Sequence, residues 1–137
     1  MGARREGREL ALKLLYREEV TGLTDASIPD VDKVDAEASL FAESLVEGVR
    51  RHRDELDAAI AGASEHWALG RMVAVDKAIL RIGAYELLHE PDTPVGAVIN
   101  EAVDCARKYS SEDGGRFVNG ILDRIARDAR GTPSQGT

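Results

Sequence analysis

A chain of 137 residues with 43% hydrophobic and 31% charged residues can bury a core of its own and is too apolar to be a disordered tail. Its net charge of -7 excludes a protein that coats nucleic acid indiscriminately, because such binding rests on neutralising phosphates. No apolar run reaches the roughly 20 residues of a membrane span, and the single cysteine, Cys105, supports neither a disulfide framework nor a cysteine metal site.

The N-terminus is polar, and no apolar stretch follows Arg4 and Arg5 to make a signal peptide. A reducing, cytoplasmic setting without membrane contact is expected. Residues 4–20 then place Leu10, Ala11, Leu14 and Leu15 on one arc at helical spacing. Within residues 1–17, Arg4, Arg5, Arg8, Lys13 and Arg17 outnumber Glu6 and Glu9, a local balance of +3 that leaves -10 on the rest of the chain. Such an asymmetry focuses a positive field at one end of an acidic molecule. Arg5 and Arg8 lie one turn apart, with Tyr16 in nearly the same sector. Guanidinium forks suit phosphate and a tyrosine ring suits an unpaired base; an ordinary solvated face would look the same.

A polar linker spans about Thr21–Asp35. Within it Asp30–Asp35 has the start of a calcium loop, but Asp35 stands where glycine is needed and Phe41 where glutamate is needed. Helical rhythm resumes through Ala38, Phe41, Ala42, Leu45, Val46 and Val49, and continues more weakly through Leu56 and Ile60. From Trp67 an apolar stripe runs over Met72, Val75, Ile79, Ile82, Gly83 and Leu87 and stops before Pro91. Asp76 and Glu86 fall within or beside this stripe. Either they meet basic groups inside the domain, or part of the stripe receives another protein.

Thr93-Pro94 predicts an N-cap and a first helical proline, opening a helix with Val95, Val98, Ile99, Ala102, Val103 and Ala106 on its core face. Cys105 lies on that side, as a buried inert thiol. Ser110–Gly115 reads as a break, with Gly114-Gly115 as a turn, and a last helix carries Val118, Ile121, Leu122 and Ile125. Phe117 sits about 80° from the centre of that core arc. It is either a core-edge ring or, beside Lys108, Arg116 and Asn119, a second stacking platform. Strand signals are nearly absent. The expected fold is all-α: about seven helices in one domain over residues 1–130, with a disordered tail at 131–137. His52, His66 and His89 are scattered in sequence and match no zinc motif. No enzyme and no cofactor is expected.

Three long motifs resemble the NusB family of transcription antitermination factors. They are Arg4-Arg5-x-x-Arg8-Glu9-Leu10-Ala11-x-x-Leu14-Leu15-Tyr16, the segment Val75–Leu87, and Pro94 through Ile99-Asn100-Glu101-Ala102-Val103 on to Phe117-Val118-Asn119-Gly120-Ile121-Leu122-Asp123. The resemblance covers residues 4 to about 126. It implies two small helical bundles packed together, and binding of the single-stranded boxA element of nascent ribosomal RNA. It also implies pairing with NusE, a small-ribosomal-subunit protein, within the RNA polymerase antitermination complex.

Carried over by position, Arg4, Arg5, Arg8 and Tyr16 match the RNA-contacting motif, and Asp113, Phe117 and Asn119 match a second RNA-proximal region that Lys108 adjoins. Asp76, Tyr85 and Glu86 match the surface that meets NusE. Glu6 and Gly7 stand where many members carry arginine and alanine, and Gly114-Gly115 replaces a serine-containing turn. The alternatives are a NusB-like helical adaptor whose basic patch is incidental, and the NusB-like RNA-binding domain of a ribosomal RNA cytosine methyltransferase.

Overall fold

The computed structural model describes residues 2–23, 35–64 and 69–131. The acidic run at residues 30–34, His66, Trp67 and the tail beyond Gly131 lie outside the described residues. Six α-helices are present among them: α1 (Ala3–Thr21), α2 (Ala36–Arg51), α3 (Arg53–Ala63), α4 (Ala74–His89), α5 (Val95–Tyr109) and α6 (Glu112–Arg130), with a 3-10 turn at Leu69–Arg71 before α4. The expected all-α class is what is found, with six described helices where about seven were expected.

Helix α1 is held at its C-terminus by Gly22 in the left-handed conformation (φ 79°), whose N–H donates to the Glu18 carbonyl at 2.8 Å. Its buried residues include Leu10, Ala11, Leu14 and Leu15, the arc that the sequence marks. Helix α2 lies alongside in the same direction, with Gly7 near Ala38 and Glu18 bonded to Arg50. Gly7 serves that approach. A Cβ there would stand 2.8 Å from the Ala38 carbonyl oxygen and 2.9 Å from Phe41 Cδ2. Gly7→Ala therefore sets a helix-propensity gain of about 1 kcal/mol against overpacking on a backbone atom that cannot yield, about 1–3 kcal/mol. The expected result is a lower urea midpoint, and a raised midpoint would contradict the close packing of α1 on α2.

Helix α4 is the central element. It runs antiparallel to α1, with Glu19 beside Lys77 and Arg8 beside Glu86, and parallel to α6, with Gly83 against Leu122. It is therefore buried nearly all round, from Ala78 to Ala84 without interruption. The groups α1–α3 and α4–α6 meet across it and share one core containing Leu14, Leu45, Leu56, Ile60, Leu80, Val98, Val118 and Leu122. Arg130 on α6 adds donors to the carbonyls at the end of α4, where the helix runs out of its own. Its guanidinium donates to the carbonyls of Glu86, Leu87, Glu90 and Thr93 at 3.1, 3.2, 3.0 and 2.7 Å.

Two boundaries differ from expectation. Helix α5 starts one residue later, with Pro94 itself as N-cap, and the buried Thr93 hydroxyl accepts from Arg4 at 3.4 Å. Helix α6 starts at Glu112, so Gly114 and Gly115 belong to its first turn and the break is confined to Ser110–Ser111. Ser111 caps the helix by accepting from Gly114 N–H at 2.8 Å. The two glycines are buried, and a Cβ on Gly114 would meet Ser110 Oγ at 2.9 Å and Asp76 Oδ1 at 3.1 Å. Close packing overrides their poor helix propensity.

Candidate nucleic-acid interface

The three arginines at the start of α1 have three different environments. Arg4 is exposed, with its guanidinium carbon 4.0 Å from the Phe41 ring centroid. Arg5 is 39% exposed and bridges two acids of α5, Asp104 at 2.7 Å and Glu101 at 3.4 Å; Glu101, then Asp104, raises its pKa further. Arg8 is buried. Its Nε and Nη2 donate to the two Glu86 carboxylate oxygens at 2.9 and 2.8 Å, and Glu86 is 1% exposed. The expectations that Arg8 offers a fork to phosphate and that Glu86 meets a partner are therefore corrected. Each is the other's internal counter-ion, and neither reaches the surface.

The positive field expected at the N-terminus is also reduced. Folding sets Glu101 and Asp104 against Arg5, and Glu9 accepts from Lys108 Nζ at 3.2 Å and from the Tyr109 hydroxyl at 3.1 Å. These pairs are exposed, and solvent and salt screen such pairs so strongly that they add little to stability. Arg5 and Lys108 can exchange a carboxylate for another anion at little cost, whereas Arg8 cannot. Along the same seam of α1 and α5, Tyr16 is 44% exposed and Tyr109 37% exposed. Both line a surface pocket of about 250 Å³ with Leu12, Lys13 and Val75. Arg5, Lys108, Lys13 and two tyrosine rings thus occupy one side of the molecule, with Arg4 at its end. Tyr109 was missed in the sequence reading, because only the packing of both α1 and α5 against α4 brings it to the pocket that Tyr16 lines.

A second pocket, of about 370 Å³, opens between the starts of α4 and α6 and is lined by Arg71, Met72, Val73, Asp76, Ser110, Asp113, Gly114 and Phe117, among others. Phe117 is half-buried and packs on the core, so it is a core-edge ring with one side on this pocket. Asp113 is exposed and bonded to Arg116. Asn119 is exposed two residues further along α6. Asp76 is 6% exposed, and its Oδ1 has no hydrogen-bond partner. Burial pushes its pKa above the usual carboxylate range, and a hydrogen bond from Ser110 opposes that rise.

Tyr85 does not join this surface. It is half-buried near the end of α4, its ring stacked near His52 and His89 and its hydroxyl donating to Glu90 Oε2 at 3.2 Å. The pairing of Tyr85 with Asp76 on one partner face is corrected accordingly. Cys105 is half-buried, and burial, then Glu9 and Glu101, push its thiol up to about 11, which keeps it protonated.

The fold and this site define a small all-helical binding protein, whose surface offers stacking rings, exchangeable cations and an acid-floored pocket. Residues 5–127 match the sequence model of the NusB family. The chain is 47% identical over 131 residues to the transcription antitermination protein NusB of Geobacter sulfurreducens, covering 92% of this chain and 95% of that one. It superimposes on T. maritima NusB with a TM-score of 0.81 at 34% identity, covering 91% of each chain. A structure of the antitermination factors NusB and NusE in complex with double-stranded RNA matches with a TM-score of 0.83 at 30% identity, covering 92% of this chain and 97% of that one. The chain belongs to the NusB family, and the relatives it matches are named transcription antitermination proteins. No helix of the described residues is long and apolar enough to cross a membrane.

Proposed function

We propose that this protein acts in the cytoplasm as a transcription antitermination factor that binds the single-stranded boxA element of nascent ribosomal RNA together with NusE. In this role it joins the RNA polymerase antitermination complex. The observation that carries the reading is the α1–α5 seam. There Lys108 Nζ lies 5.1 Å from the centroid of the exposed Tyr109 ring, Lys13 lines one pocket with Tyr16 and Tyr109, and Arg5 continues the seam toward the start of α1, the combination of cation and stacking surface that unpaired RNA needs. Phe117 and Asn119 extend the contact along α6, and Asp113 borders it.

The seam's cations already hold carboxylates, so RNA must displace Asp104 from Arg5 and Glu9 from Lys108. Removing one phosphate contact reduces the salt slope by about 1. Arg5→Ala is expected to weaken boxA binding by about 3- to 10-fold and to flatten its salt dependence, and Arg4→Ala to do the same. Filter binding at several salt concentrations measures both. Unchanged affinity in both variants would remove RNA from this helix.

The Asp76 pocket supports the NusE half of the reading. A buried carboxylate oxygen without a donor, beside an apolar wall of Met72, Val73 and Phe117, suits the stem and charge of a lysine or arginine from a partner. Asp76→Lys is expected to lower NusE affinity at least about 10-fold, since it places like charges together in a pocket. Asp76→Asn, which keeps the size of the buried side chain, is expected to lower NusE affinity with circular dichroism unchanged, because no cation of the described residues shifts the Asp76 carboxyl. Wild-type affinity for NusE in this variant would remove the partner from the pocket.

A further inference from the structure

Folding brings together two histidines that are far apart in sequence. His52 joins α2 to α3 and His89 ends α4, and their ring centroids are 3.9 Å apart with planes 23° from parallel. Glu55, in the first turn of α3, places Oε1 2.8 Å from His89 Nε2 and 3.4 Å from His52 Nδ1. The three donor atoms lie within 4.8 Å of one another, the one such group among the described residues.

We propose that His52, Glu55 and His89 form a binding site for a divalent transition-metal ion such as zinc. Two imidazole nitrogens and one carboxylate oxygen are the donors that borderline metals take, with metal–donor distances of about 2.1 Å. A tetrahedral centre with such bonds has donors about 3.4 Å apart, and the observed separations of 2.8 and 3.4 Å bracket that edge. The stacked rings point their lone pairs nearly side by side, so binding requires them to splay. The side chains of His52 and His89 keep 32% and 26% of their surface exposed, which gives an ion access from that side.

The surroundings favour a cation. His89 lies at the C-terminus of α4, where the helix carries its negative end. Tyr85, one turn earlier, backs both rings and is itself held by Glu90. Gly48 makes room for that wall, since a Cβ there would lie 2.3 Å from Tyr85 Cζ. Three protein ligands leave a fourth position for water, as in an open site of modest affinity. The ion's effect is to clasp the α2–α3 junction to the end of α4.

The test is thermal unfolding of the full chain, freed of metal with a chelator and then titrated with zinc chloride. Zinc at roughly 100 times its dissociation constant is expected to raise the Tm by about 5 °C or more. Calorimetric titration at a temperature where the chain is folded by circular dichroism is expected to give one zinc per chain. His52→Gln and His89→Gln are each expected to abolish both signals, while Cys105→Ser retains them. The proposal is overturned if zinc leaves the wild-type Tm and calorimetric trace unchanged, or if one zinc still binds the folded His52→Gln/His89→Gln double variant.

Discussion

Glu86→Ala is expected to cost about 3–5 kcal/mol of folding stability, because it strands the Arg8 guanidinium in a site from which water is excluded. Burial alone pulls the Arg8 pKa down, and the hydrogen bonds and charge of Glu86 more than restore it, so Arg8 stays ionised. The bond is bidentate, at 2.9 and 2.8 Å, and ties α1 to α4 at the centre of the domain. Losing one partner leaves a charge with no acceptor, whereas losing both leaves an apolar gap that can be refilled. The double variant Arg8→Met/Glu86→Leu should therefore recover most of the stability that Arg8→Met or Glu86→Leu alone removes. Urea unfolding of the two singles and the double measures this, and additive losses would contradict the pairing. A consequence for function follows: weakened RNA binding in an Arg8 variant reports loss of fold, and it should vanish when affinity is expressed per folded molecule.

Glu19→Gln is expected to produce the second large loss, about 2 kcal/mol at neutral pH after allowance for partial screening. Glu19 Oε2 lies 2.6 Å from Lys77 Nζ and Oε1 lies 2.8 Å from Arg81 Nη1, which also holds Asp57 through Nε at 2.8 Å. This network pins the end of α1 and the side of α3 to α4. The Lys77 hydrogen bond, opposed by burial and reinforced by Arg81, lowers the Glu19 pKa to about 2. A carboxyl that titrates lower in the folded than in the unfolded chain stabilises the fold above its unfolded pKa, about 4.3. That contribution is lost as pH falls through the folded value. The gap between wild type and Glu19→Gln should thus stay constant above about pH 5 and close between about pH 4.3 and 2. A gap that persists unchanged to pH 2 would show that Glu19 acts through packing alone.

The helices of the rim were readable because each has one wet side. Leu10, Ala11, Leu14 and Leu15 on α1, and Val118, Ile121, Leu122 and Ile125 on α6, are buried as their spacing requires. Helix α4 is wet almost nowhere, so periodicity could not separate its carboxylates. Glu86 meets an arginine 78 residues earlier in the chain, whereas Asp76 Oδ1 meets no hydrogen-bond donor among the described residues. Sequence spacing assigns residues to faces and leaves their partners open.

The same gap explains the arginines. Arg5 and Arg8 share a broad sector of α1, yet one reaches the acids of α5 at the surface and the other points under α4. Gly114-Gly115 looked like a turn because local propensity says so, and glycine is kept inside the helix because Ser110 and Asp76 crowd the Gly114 position and Arg107 crowds Gly115. His52, Glu55 and His89 carried no motif, because their proximity depends on α3 and α4 lying side by side.

In the proposed function a chain of net charge -7 binds RNA through one seam whose cations are partly occupied by its own carboxylates. The most direct measurement is a titration of boxA RNA with this protein alone and with NusE, at two salt concentrations. The expected result is weak, salt-sensitive binding by the protein alone and at least about 10-fold tighter binding with NusE, since the partner supplies the remaining attraction to phosphate. No binding in either arm, or the same affinity for boxA and an unrelated RNA in the presence of NusE, would contradict the account.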